Sequence, residues 1–142
     1  MSIQAQVYMN YKNSTVETAS PGKLLLMLYN AAIRDLESAI QRIAEKDLEA
    51  AHKLIIKAQD IITEFMCTLN MDYEISEKLL SLYEYLHHRL VEANVRKDVE
   101  IITEVLGFLV ELRDTWQEAV NKTSGTGQRM AAVGATGINL RG

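Results

Sequence analysis

Cysteine and proline occur once each among the 142 residues, as Cys67 and Pro21. A single cysteine excludes an internal disulfide and a disulfide-built scaffold, and Cys67 reads as a small buried hydrophobe in a reducing compartment. Basic residues are in deficit: fifteen Lys and Arg stand against nineteen Asp and Glu, for a net charge of -4. A phosphate backbone would meet a surface of the wrong average sign, so nucleic acid is not an expected partner. Long apolar runs are missing too. The strongest, Leu24 to Tyr29, falls far short of the roughly 20 residues that cross a bilayer, which excludes membrane insertion by a helix. The opening Met1-Ser2-Ile3-Gln4 has no cationic region before an apolar stretch, so no secretory signal is expected and the predicted location is cytoplasmic. At 48% hydrophobic and 24% charged, what remains is an ordinary globular composition, sized for one domain.

Glycine is also rare until the chain's end: five of the seven lie beyond residue 124, and from Lys23 to Lys122 only Gly107 interrupts. Such a stretch is free to be helical. Ser20-Pro21 predicts an N-cap followed by proline at the first helical position, opening a helix over 21–45. Asp47 predicts the cap of a second helix, whose Leu48, Ala51, Ile55, Ala58, Ile62, Phe65 and Leu69 recur at spacings of three and four. Asn70-Met71-Asp72 closes it, and Ser76 is the expected cap of a third helix carrying Leu79, Leu82, Tyr83, Leu86, Leu90 and Ala93. A connection over 94–98 leads to a fourth, with Ile102, Val105, Leu109, Leu112, Trp116 and Val120. Four helices of comparable length on short connections predict an all-α, antiparallel up-down-up-down four-helix bundle over 21–122. Residues 1–20 read as an N-terminal arm with enough apolar groups to dock, and 123–142 as a flexible glycine-rich tail.

The apolar stripes are wider than one central seam requires. Leu54-Ile55-Ile56, Ile61-Ile62, Leu79-Leu80, Ile101-Ile102 and Leu109-Val110 place neighbours about 100° apart on a helix. The expectation is apolar grooves on the flanks as well as a core, of the kind that hold an extended or amphipathic partner. The arm, the tail or a twin subunit could equally cover them, so a homodimeric structural bundle is the alternative.

A carboxylate-bridged metal oxidase also uses this architecture, and Glu49-x-x-His52 and Glu84-x-x-His87 have its spacing. On a helical wheel both glutamates point away from the inward stripes, and the two motifs are offset by about 16 Å along the bundle. One metal pair cannot reach both. No nucleophile elbow, P-loop or zinc spacing is present, so no catalytic residue, metal or cofactor is expected and the protein is not read as an enzyme.

The segment Tyr11-Lys12-Asn13-Ser14-Thr15-Val16-Glu17-Thr18-Ala19-Ser20-Pro21, followed by Leu24 and Met27-Leu28-Tyr29, resembles the opening of the flagellin-specific export chaperone family, FliS. So do Lys57-Ala58-Gln59-Asp60-Ile61-Ile62, Leu82-Tyr83-Glu84-Tyr85-Leu86 through Asn94, and Leu112-Arg113-Asp114-Thr115-Trp116. The resemblance implies a bundle that binds the disordered C-terminal region of flagellin in its grooves, blocks premature polymerisation and delivers it to the flagellar type III export gate, where the gate itself or a regulatory protein is a further partner. It also implies a binding role for Tyr11 and Tyr8. With the wide stripes, the expected contact residues are Tyr8, Tyr11 and Val16 in the arm, and Leu54, Ile61, Tyr83, Leu90, Ile101 and Phe108 on the flanks.

Overall fold

The computed structural model describes residues 21–122, which form four helices: α1 (Pro21–Ala44), α2 (Leu48–Thr68), α3 (Glu74–Arg96) and α4 (Val99–Lys122). α1 packs against α2 and α4, and α3 against the same two. With connections this short each neighbouring pair is antiparallel, so the architecture is the expected four-helix bundle. The expected arm and tail lie outside the described residues.

Local chemistry sets the helix ends. Pro21 is the first residue of α1, and the Asp47 side chain accepts a hydrogen bond from the Ala50 N–H at 3.2 Å to cap α2. The third helix departs from expectation. It begins two residues before Ser76, behind Tyr73, which makes no side-chain cap. Ser76 is instead buried in the first turn, where its hydroxyl donates to the Asn70 carbonyl at 2.6 Å and ties the helix to the preceding connection. α3 also runs on through Arg96, because Lys97 takes the left-handed conformation (φ 52°) and its N–H and that of Asp98 close back on the Ala93 carbonyl. Asp98 then accepts from the Glu100 N–H at 2.9 Å to start α4.

The core follows from the buried faces. Ala32, Leu36 and Ala39 on α1 and Ala51, Ile55, Ala58 and Ile62 on α2 are fully buried, and the alternation of methyls with larger groups lets the helices interlock. α3 and α4 add Leu86, Leu90 and Ala93, and Ile102, Val105 and Leu109. A smaller cluster of Leu26, Trp116 and Val120 joins the start of α1 to the end of α4, where the Trp116 indole N–H donates to the buried Gly22 carbonyl at 2.9 Å.

An aromatic trio crosses the middle. Phe65 of α2 lies 4.4 Å from the Tyr29 ring of α1 and 5.4 Å from the Tyr83 ring of α3, centroid to centroid. The two tyrosine hydroxyls meet at 2.6 Å, one donating to the other across the bundle's diagonal. Burial raises both phenols, Tyr83 to about 12 and Tyr29 well above its usual value, so both stay neutral and the bond persists over the physiological range.

Tyr83→Phe leaves the Tyr29 hydroxyl buried without a partner and should cost about 1–3 kcal/mol in urea unfolding. Adding Tyr29→Phe should recover much of that loss, giving a double-mutant cycle with clear coupling rather than additivity.

Candidate functional site

The structure sorts the expected contact residues into three groups. Tyr8, Tyr11 and Val16 lie outside the described residues. Ile61, Tyr83, Leu90 and Ile101 are core side chains, exposed by 6% or less, which corrects their placement on the outer flanks. The reason is geometric: each helix meets two neighbours. Ile61 projects about 120° from Ile55 around α2, where it is buried in the same cluster as Tyr29 and Ile33 of α1. The wide stripes are therefore partly consumed within the bundle. Leu54 and Phe108 remain half-buried at its surface.

Other apolar groups are more open than any of these. Val95 is 79% exposed and Val91 40%, one turn apart on α3 and facing away from the Leu86, Leu90 and Ala93 stripe. Tyr85, 43% exposed, meets Phe108 edge-on at 6.3 Å between α3 and α4. Met71 and Tyr73 stand exposed in the α2–α3 connection. The i,i+4 repetition of valine on a face opposite the stripe was a signal present in the sequence.

A polar chain holds the Tyr85–Phe108 pair. The Tyr85 hydroxyl donates to Glu104 at 2.5 Å, Arg89 donates to the other Glu104 oxygen at 2.9 Å and to Glu92 at 2.8 Å, and Arg96 reaches Glu92 at 3.1 Å. The bonds from Tyr85 and Arg89 hold the Glu104 carboxyl below the usual range, and the same contact raises the Tyr85 phenol. All of this supports α3 on α4; none of it activates a nucleophile or a base.

The residues considered for metal chemistry are turned elsewhere. Glu49 is 82% exposed beside Lys53 at 3.9 Å, Glu84 is exposed, and the His52 ring is engaged with the Asn94 amide at 2.9 Å. Cys67 is exposed, a correction to its expected burial: two residues beyond the buried Phe65, it lies about 200° around α2. On the same helix, burial raises the carboxyls of Asp60 and Glu64, one turn apart, with the nearby His87 pulling Asp60 the other way and burial lowering His87. One Asp60 oxygen, one Asp35 oxygen and the Gln59 carbonyl oxygen are buried without a hydrogen-bond partner among the described residues. No helix among these residues is long and apolar enough to cross a membrane.

The surface thus offers apolar strips and a few half-buried acids on a close-packed core. Residues 4–123 match the family model described as flagellar protein FliS. The chain belongs to the FliS family. It is 40% identical over 120 residues to the flagellar secretion chaperone FliS of Bacillus subtilis strain 168, covering 84% of this chain and 90% of that protein. The Salmonella typhimurium protein of the same name is 33% identical over 115 residues, 78% of this chain and 84% of the relative. The Escherichia coli K12 FliS is 28% identical over 111 residues, with 75% and 81% covered. The FliS match spans all four helices, so the strips described above belong to the shared bundle and not to an appended segment.

A carboxyl whose pKa rises on folding opposes the folded state once ionised, so that cost is present at neutral pH and disappears as pH falls through the shifted value. Asp60→Asn should therefore raise the urea midpoint at pH 7. The advantage should vanish below about pH 3.5, where the aspartate is protonated in both states; parallel denaturation curves at the two pH values check this.

Proposed function

We propose that this protein is a cytoplasmic export chaperone that holds the C-terminal region of flagellin along apolar strips on its bundle, prevents premature polymerisation and delivers it to the flagellar type III secretion apparatus. The observation that carries this reading is the set of apolar side chains left at the surface once a fully buried core has formed, with Tyr85, Val91 and Val95 exposed and Phe108 and Leu54 half-buried. The family match supports it, since relatives across several bacteria carry the name flagellar secretion chaperone.

The work involves no bond-making step. A client segment that is amphipathic but short of partners cannot bury its apolar side alone, and the chaperone supplies the missing surface. Ordering the segment costs free energy that offsets part of the contact gain, so the complex is specific yet releasable at the export gate. In this reading Leu54 and Phe108 touch the client, as do Tyr8, Tyr11 and Val16 of the arm, while Ile61, Tyr83, Leu90 and Ile101 support the strips from beneath. The export gate, or a regulatory protein acting on the complex, is the second partner.

Calorimetric titration of a peptide covering the C-terminal region of the cognate flagellin should give micromolar or tighter binding with negative ΔCp, and circular dichroism should show helix gained in the complex. No heat at two temperatures would remove the chaperone reading. Changing Tyr8 and Tyr11 together to alanine should weaken the peptide by ~tenfold or more, with the melting temperature of the bundle nearly unchanged; equal loss of both would make the arm merely structural.

A further inference from the structure

Gly107 sits in the middle of α4, exposed, with a helix conformation that any residue adopts. Glycine weakens a helix interior relative to alanine, so its presence calls for a reason. Packing among the described residues supplies none: beyond its chain neighbours and its own turn of helix, a methyl group built at Gly107 meets no atom of these residues within 4 Å. Gly107 lies in a shallow, open depression on the outer face of α4, between the half-buried Phe108 and Val110 and bordered by Glu104, Glu111 and Asp114. A notch of this kind lets the backbone of a second helix come closer than side chains normally permit.

Charge selects the occupant. Glu100, Glu104, Gly107, Glu111, Asp114 and Glu118 follow at alternating spacings of four and three, the pattern that keeps residues on one line of a helix, and no lysine or arginine stands on that line. Only Glu104 is tied into the α3 network; Asp114 and Glu118 meet bases of α4 itself, Arg113 at 3.1 Å and Lys122 at 3.8 Å. An apolar notch in an acidic line fits an apolar-faced helix with cationic shoulders, and repels an acidic one.

We propose that the client segment crosses the outer face of α4 as a helix, with a small side chain over Gly107, apolar groups against Phe108 and Val110, and lysine or arginine side chains beside Glu111 and Asp114. This rests on the chaperone reading above and adds to it the place, the conformation and the charge of the docked segment. At Gly107, gaining helix stability then costs binding.

The test is titration of the flagellin C-terminal peptide into the full-length native protein and the variants Gly107→Ala, Gly107→Leu and the pair Glu111→Gln with Asp114→Asn, each melted in parallel. Gly107→Ala should melt a few degrees higher than the native protein and bind more weakly. Gly107→Leu should bind at least tenfold more weakly while remaining folded. The charge-neutralised pair should lose several-fold in affinity at low salt and show a shallower salt dependence. Native protein that binds the peptide, with both Gly107 variants binding within twofold of it, would overturn the crossing at α4 while leaving the chaperone reading intact. Unchanged affinity and salt dependence in the charge-neutralised pair would overturn the cationic shoulders. Absence of binding by the native protein would remove the chaperone reading and this inference with it.

Discussion

In a ring of four helices each member must bury two adjoining faces at once, and that constraint shapes nearly every feature of this molecule. α1 answers it with a broad apolar face: Leu28, Ala32, Leu36 and Ala39 are buried alongside Leu26, Tyr29 and Ile33, while Arg34, Glu37 and Gln41 keep one side in water. The helices are held in register by contacts that no adjacent pair could make alone. Tyr29 and Tyr83 close across the diagonal over Phe65. Their hydroxyls satisfy one another where water cannot reach, and a slip of one helical turn would strand both.

The apolar surface that remains is modest and scattered in strips rather than concentrated in a cavity. That distribution suits a long, thin client better than a compact ligand. A catalyst needs a few titratable groups converging on one point. In the described part of this chain the perturbed groups instead support helix contacts, as Glu104 does with Tyr85 and Arg89, or stand on a helix flank, as Asp60 and Glu64 do with desolvation as their main perturbation. The half-buried acids are a local cost of packing rather than a converging set of general acids.

The number and order of the helices were legible because their signals are local. Pro21, the Asp47 cap and the three-and-four spacing of apolar residues each act within a turn or two. Ser76 misled because the residue that caps a helix in isolation can instead be drawn into a tertiary bond, here to Asn70. Ile61 and Ile101 misled for a related reason. A helical wheel records direction around one axis and is blind to how many neighbours surround it. Tyr29 and Tyr83 are separated by 54 positions, and no periodicity announces that two polar tips will meet in the core. The family was readable because its residues recur in blocks along the bundle. Which apolar residues stay at the surface was readable only in part, since Leu54 and Phe108 differ from their buried neighbours by a fraction of a helical turn.

The bond from the Trp116 indole to Gly22 joins groups separated by 94 positions, and Trp116 is the protein's single tryptophan. Hairpins such as α1–α2 can assemble from nearby pieces of chain, whereas this contact forms only when the last rod returns beside the first. The indole is thus a built-in optical marker of the α1–α4 seam: it stands where the first and last rods of the ring meet, buried only while that seam is closed.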